Sequence, residues 1–366
     1  MVSLLEFEKI VVRVPNWVGD VVMCTPALRS IREFWPDSEI TVMGLPTGEK
    51  ILAGSPRFDR FETYRRNGPD GGLFGRGRII RRLRKERFDL GILMPNSFSS
   101  GWLFWRAGVK RRLGTTYGGR NFTITDAYMP PMEGKRRVPR SMVEHYFDLL
   151  EEFRVPRGDP KLELFETEEG KQDAREILGA LGVEDDDRLV AIVPGASFGI
   201  SKMWKSDRFA AVADHLQEQH GLKPLLLGGP GEEIILHEIE TAMKTPALST
   251  GDDPLDLDAL KTAVKRSSLM IATDAGPRHY GVAFDVPIVT MLGPTDPRFS
   301  ESNTEKTIVL RVDDLECSPC HLKTCPLAHH GCMSWIETEQ VIEACEELLK
   351  RYPPAPPAET ENAGTD

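Results

Sequence analysis

No run of apolar residues in this 366-residue sequence approaches the ~20 that a helix needs to cross a bilayer. The N-terminal stretch also lacks the charged, apolar and small-residue order of a secretory signal. Both absences set the expectation of a cytoplasmic protein. Cysteine is scarce: of six, only Cys24 precedes Cys317, which fits a reducing compartment. No G-x-G-x-x-G follows a strand pattern and no G-x-x-x-x-G-K-[ST] occurs, which argues against a dinucleotide cofactor or a P-loop. No internal repeat of fixed period is present.

What is there is length and an uneven charge. A chain of this size with 40% hydrophobic residues can form two α/β domains, each with its own core. The formal charge of -10 averages two unlike halves. Residues 1–159 hold 27 Lys and Arg against 19 Asp and Glu, net +8, and the remainder holds 19 against 37, net -18. A basic half in an acidic protein suggests an anionic partner on that side, such as a phosphorylated lipid, a membrane surface or a nucleic acid. The densest basic run is "RGRIIRRLRKER", Arg76 to Arg87, with Ile79, Ile80 and Leu83 on one helical face and arginines on the others. Partner binding and a plain solvated surface explain that run equally well.

Short β-branched runs alternate with longer amphipathic ones. "KIVVRV", "EITVMGL" and "FDLGILMP" read as parallel strands joined by crossover helices. "FRVPRGDPKLEL", Phe153 to Leu164, reads as an interdomain linker. A second series follows: strand "RLVAIVP", a helix N-capped by Ser206, strands "KPLLLGG", "SLMIATDAG" and "VPIVTML" with helices between them, and a last helix from Thr338 to about Arg351. The end, "YPPAPPAETENAGTD", has the composition of a segment that supports no core.

Open parallel sheets bind ligands in the loops that leave their strands. Four such loops are distinctive. In "PNWVGD", Gly19 permits a turn and Asp20 stands where a helix begins, as a cap or as a base. "PGASFGISKMW" offers small residues for close backbone approach, with Ser197, Ser201 and Lys202 as donors, a set suited to a diphosphate. In "TDAGPRH", Asp274 can cap the following helix or accept from sugar hydroxyls, and His279 reads equally as a core histidine. "GPTDP", Gly293 to Pro297, reads as a turn. The D-x-D spacings at Asp185 to Asp187 and Asp256 to Asp258 fall in acidic turn or helix-start contexts.

In order, "WVGDVVMCTPALRSIREFWPDSEI", "PGASFGISKMW" and "TDAGPRHYGVAFDVPIVTMLGPTDP" resemble the ADP-heptose:lipopolysaccharide heptosyltransferase family (glycosyltransferase family 9), most of all its heptosyltransferase II-like branch. The resemblance runs from Val11 to about Lys350. It implies an α/β protein of GT-B fold, with two Rossmann-like doubly wound parallel-sheet domains facing across a cleft. Residues 1–159 would bind the acceptor and 160–352 the nucleotide-sugar donor, with 353–366 a disordered tail. Carried over residue by residue, it makes Asp20 the general base of an inverting, metal-independent transfer. Asn16, Trp17 and Gly19 fall on the acceptor side. Ser197, Ser201, Lys202, Asp274, Ala275, Gly276 and His279 fall at the donor. The implied partners are an ADP-sugar, a phosphorylated lipid A-core glycolipid and the cytoplasmic surface of the inner membrane, and nucleic acid is not among them. The sequence departs from the pattern at "LGGPGEE", where Gly231 stands near the position of a ribose-binding glutamate and Glu232 or Glu233 would substitute.

Two further readings stay open: the same fold using another nucleotide sugar, and a non-catalytic protein docked to membrane or nucleic acid through the arginine helix. The run "CSPCHLKTCPLAHHGC" gathers Cys317, Cys320, Cys325 and Cys332. A structural zinc or iron-sulfur site and reduced thiols packing a loop are equal readings of it, and transfer itself requires no cofactor.

Overall fold

A computed structural model describes residues 6–354 apart from 66–67, 117–118, 135 and 196. The chain forms two units, Met1–Phe165 with Pro297–Asn303, and Glu166–Asp296 with Thr304–Asp366.

The first unit is built on a parallel sheet of strands β1 (Lys9–Arg13), β2 (Glu39–Gly44), β3 (Arg60–Thr63), β4 (Leu90–Leu93), β5 (Arg111–Thr115) and β6 (Asp126–Tyr128), in the order β3-β2-β1-β4-β5-β6. Ile10, Val11, Val12, Ile40, Val42, Leu90 and Ile92 are fully buried, as near-continuous apolar strands must be when both sheet faces are covered. The covering helices are α1 (Val18–Met23), α2 (Thr25–Phe34), α3 (Pro46–Leu52), α4 (Gly72–Glu86), α5 (Phe98–Ala107) and α6 (Met142–Glu151). A small antiparallel pair, β7 (Met132–Glu133) and β8 (Arg136–Arg137), precedes α6. In α4 the basic run folds as its spacing demands, with Ile79 and Leu83 buried beneath exposed arginines.

The second unit repeats the plan. Strands β9 (Leu189–Val193), β10 (Lys223–Leu226), β11 (Leu248–Ser249), β12 (Ser267–Thr273), β13 (Ile288–Met291) and β14 (Thr307–Leu310) lie parallel in the order β11-β10-β9-β12-β13-β14. Its helices are α7 (Glu168–Ala180), α8 (Ser206–His220), α9 (Glu233–Ala242), α10 (Ala259–Lys265), α11 (Arg278–Ala283), α12 (Gly331–Ser334) and α13 (Thr338–Arg351). In both sheets the strand order reverses beside the first strand, between β1 and β4 and between β9 and β12. The carboxyl ends at such a reversal diverge and leave a crevice.

One expectation needs correction. Ser206 is the first residue of α8 and its hydroxyl donates to Glu238 at 2.6 Å, so Lys205 occupies the cap position. The proline-rich linker is docked on the first unit: Arg29 and Arg57 pair with Glu163, and the amide of Leu162 donates to Asn303. The terminal segment from residue 355 lies outside the described residues.

One buried titratable group lies under this architecture. His145 of α6 is 3% exposed, and its Nδ1 has no hydrogen-bond partner among the described residues. Burial, reinforced by the charge of Arg137 and only partly offset by Asp148, pulls its pKa down to about 4. The folded histidine is therefore neutral where the unfolded one takes a proton, so stability is complete above pH ~6.5 and declines as pH falls toward the folded value. Urea unfolding of the first unit should lose about 2 kcal/mol between pH 7 and pH 5, and His145→Gln should flatten that slope. An unchanged slope in the variant would assign the acid sensitivity to other groups.

Candidate active site

At the reversal of the first sheet, the loop leaving β1 carries Asn16 and Trp17 into α1. Trp17, 55% exposed, occupies the N-cap position of α1 without a side-chain cap bond. Gly19 is the second residue of α1 and buried, so the turn falls before it, at Pro15 to Trp17. Asp20 is the third helical residue and half-buried, so it is not the cap. A carboxylate in the first turn of a helix is favoured as the anion by the exposed amides beside it.

Next to Asn16 opens a cavity of about 290 Å³, walled by the loops after β1, β3 and β4 and by α4 and α5; Arg13, Tyr64, Arg76, Ser97, Ser100 and Trp102 are among its lining residues. Arg13 lies on its floor, and its one carboxylate, Asp70, is paired with Arg82 at 3.1 Å. Arg13, 3% exposed, donates to Asn16 Oδ1 at 2.6 Å and to Tyr64. Beneath Ser97 and Ser100, Arg120 is fully buried and donates to the carbonyls of Thr115 and Pro95 at 2.7 Å and to Thr115 Oγ1 at 2.9 Å. These acceptors are all neutral. Burial pulls the Arg120 pKa down to about 10, which leaves the guanidinium charged at neutral pH. A pocket with this floor selects an anionic or hydroxyl-rich ligand. Sequence reasoning missed both arginines, although an arginine inside the apolar strand "KIVVRV" was a visible signal.

At the reversal of the second sheet, the loops after β9 and β12 meet. Lys202, 8% exposed, donates to Asp274 Oδ2 at 2.6 Å and to the Asp274 carbonyl at 2.9 Å, and its ammonium lies 4.8 Å from the centre of the Phe198 ring. Arg278 Nε reaches Asp274 Oδ1 at 3.3 Å and Thr295 donates to Oδ2 at 2.5 Å. Asp274 is therefore not a helix cap: α11 starts after Pro277 without a side-chain cap bond. Burial opposes ionisation of Asp274, but the charges of Arg278 and Lys202 with two hydrogen bonds outweigh it and hold the carboxyl well below the usual range. His279 is 4% exposed with Nδ1 unpartnered among the described residues, and burial together with Arg278 keeps it neutral against the pull of Asp274. Ala275 is buried, Gly276 half-buried and Ser197 exposed. The "GPTDP" segment is more than a turn, because Thr295 joins the carboxylate.

The loop after β9 is clamped from behind. Ser201 donates through its amide to Lys323 O at 3.1 Å and through its hydroxyl to Leu322 O at 2.5 Å, while His330 Nε2 lies 2.8 Å from Ser201 O. A Cβ on Gly199 would stand 2.3 Å from Lys323 O, so only glycine allows this approach. The partner in this clamp is the cysteine-rich loop. Burial and then the neighbouring Cys320, Cys325 and Cys317 push the Cys332 thiol up to about 11. The four thiols are not gathered as ligands: among the described residues, the triplets of ligating atoms within 4.8 Å are His215, His220, Glu346 and Glu184, Asp186, Asp187.

The structure separates the two glutamates of "LGGPGEE". Glu232 points at the β9 loop, where a Cβ on Gly195 would meet its carboxyl at 2.1 Å, and it accepts from Gly229 N at 2.9 Å. Burial raises its pKa despite that bond. Glu233 is exposed and accepts from Gly231 N.

Two Rossmann-like units with polar clusters at both sheet reversals are the architecture of the GT-B fold. The profile of glycosyltransferase family 9 (heptosyltransferase) matches residues 76–330, and the chain belongs to that family. It is 27% identical over 358 residues to lipooligosaccharide heptosyltransferase 2 of Campylobacter jejuni, covering 93% of this chain and 98% of that one. Among solved structures, a family 9 glycosyl transferase from Veillonella parvula superposes with a TM-score of 0.81 at 26% identity, covering 95% of this chain and 99% of that one. The ADP-heptose lps heptosyltransferase II of E. coli superposes at 0.77 and 23% identity over 94% and 99%.

Lys202→Met leaves Asp274 buried with one cation fewer and should cost the second unit about 3 kcal/mol in urea unfolding. Adding Asp274→Asn removes the stranded charge, so the double variant should regain part of the loss. A double variant as unstable as the sum of both singles would show that the pair is not the support of this loop.

Proposed function

We propose that this chain transfers a heptose from an ADP-linked donor to a phosphorylated inner-core glycolipid of lipopolysaccharide, with inversion and with Asp20 as general base. The observation that carries the reading is the buried Lys202, Asp274, Arg278 and Thr295 cluster at the reversal of the second sheet, where a nucleoside diphosphate is expected. Lys202 uses two of its three N–H groups on Asp274, and the third serves a phosphate oxygen. Two cations against one carboxylate leave a positive excess for the leaving diphosphate. Glu232 is our choice for the ribose hydroxyls, since it alone of the two glutamates turns toward the β9 loop.

In the first unit the acceptor's charged groups fit the pocket beside Asn16 that Arg13 and Arg76 line. The acceptor hydroxyl oxygen attacks the anomeric carbon, the bond from that carbon to the phosphate oxygen breaks, and the hydroxyl proton passes to Asp20. ADP departs with the bonding electrons. Neither step calls on a metal in this reading. Names of the relatives point the same way: the Campylobacter jejuni protein is a lipooligosaccharide heptosyltransferase and the E. coli structure an ADP-heptose transferase.

The cysteine-rich loop takes a structural part, because its carbonyls hold Ser201 next to Lys202. Four thiols supply the donor chemistry for zinc or iron, and such an ion would stiffen the same support. Metal analysis of protein purified anaerobically without added metal tests this. A stoichiometric ion supports it and metal-free protein with full activity rejects it. No described helix is long and apolar enough to cross a membrane, and the reading places the protein at the cytoplasmic face of the inner membrane as a peripheral enzyme.

Asp20→Ala should lower transfer by about 10²–10⁴-fold while ADP-sugar binding persists. Lys202→Ala should weaken donor affinity and turnover together. Retained turnover in Asp20→Ala would remove the base assignment. Thermal shifts with ADP-, UDP- and GDP-linked sugars identify the nucleotide, since a ligand bound only by the folded state raises Tm. A larger shift with a non-adenine nucleotide would overturn the donor assignment.

A further inference from the structure

Helix α4 turns its buried Ile79 and Leu83 toward the first unit, and the helical period puts Phe74, Arg78, Arg81 and Lys85 on the opposite side. All four are exposed, Phe74 to 89%, and the three cations make no ion pair among the described residues. Helix α5 packs beside α4: both line the cavity, and Arg84 donates to the carbonyl of Arg106 at 2.6 Å. On α5 and the short helix after β5, three aromatic rings pack on one another without being buried. Phe122 sits 5.8 Å, centre to centre, from both Phe98 and Trp105, and these rings are 60%, 48% and 42% exposed. Arg106, also exposed, lies 5.8 Å from the Trp105 ring.

A stripe of cations beside a cluster of exposed aromatics is an unusual surface for water. Rings that associate while staying half-exposed leave much of their apolar surface in water. Large aromatics are stabilised at the boundary between hydrocarbon and headgroups, and arginine and lysine are stabilised by anionic headgroups. The sign of the whole unit agrees, since residues 1–159 carry net +8 while the rest of the chain carries -18. We propose that this α4 and α5 face of the first unit seats on an anionic lipid bilayer, with Trp105 and Phe122 entering the headgroup layer and Arg78, Arg81 and Lys85 contacting lipid phosphates. The proposal rests on the transfer reading in one respect: it gives a chain with no described spanning helix a way to reach a lipid-anchored acceptor.

The test uses the full-length protein and vesicles of phosphatidylcholine alone or with about one third phosphatidylglycerol, sedimented at about 50 mM and about 500 mM salt. Anionic vesicles should carry the protein down at low salt and release most of it at high salt, and neutral vesicles should retain little. The double variants Trp105→Ser with Phe122→Ser and Arg78→Glu with Arg81→Glu should each weaken vesicle binding by about tenfold or more. Both should keep the wild-type Tm and wild-type turnover on a deacylated, water-soluble acceptor, because none of these residues belongs to the cavity or the donor cluster. Wild-type protein that ignores vesicle charge, variants that sediment like the wild type, or tighter binding to duplex DNA than to anionic vesicles would overturn the proposal. Loss of turnover on the soluble acceptor in otherwise intact wild type would strike the transfer reading instead and leave the vesicle result standing.

Discussion

The buried ion pair of Lys202 with Asp274 is the constraint around which the second unit is arranged. Taking two charges out of water costs several kcal/mol per ion, and the attraction between them offsets this only when the remaining lone pairs and protons also find partners. Here they do: Thr295 and Arg278 complete the carboxylate, and the Asp274 carbonyl and Phe198 ring complete the ammonium. The groups involved come from three stretches of chain, Phe198 and Lys202 after β9, Asp274 and Arg278 after β12 and Thr295 after β13, so satisfying one carboxylate fixes these loops together. Burial, and after it the charge of Arg278, keeps the neighbouring His279 neutral.

The two units handle charge in opposite ways. In the second, acidic overall, cations meet a carboxylate and only the excess remains for a ligand. In the first, Arg120 is fully buried among neutral carbonyl and hydroxyl acceptors. A guanidinium held so is solvated by dipoles rather than compensated by an anion, and its field extends into the cavity beside it. Net charge per half therefore hid a locally cationic site within the acidic half.

Much of the fold was legible because period and composition agree in the central strands. "KIVVR" and "LVAIV" are apolar on both faces, and only a doubly covered parallel sheet buries such strands. The strands that escaped notice were β3, β5, β6, β7, β8, β11 and β14. They are short, and "RFET" and "RRLGT" carry charge that reads as loop until a neighbour supplies the ladder. In the site, the loops were visible but not their wiring. Asp274 reads in sequence as a cap for the helix four residues on; space gives it a lysine 72 residues upstream and a threonine 21 downstream. Local patterns specify which residues stand at strand ends, whereas the pairing of strand ends is a property of strand order.

Strand order also explains why glycine sits where it does around the second site. Gly195 leaves room for the carboxyl of Glu232, which arrives from the loop after the neighbouring strand β10, and Gly199 leaves room for the carbonyl of Lys323 from the cysteine-rich loop. At both positions a methyl group would collide with a group fixed by another element, so neither glycine serves flexibility. They make space in a loop that has a glutamate against one part of it and a backbone clamp at Ser201. Such a loop holds its lysine in one place before any ligand arrives, so the ordering entropy is met during folding and not during binding.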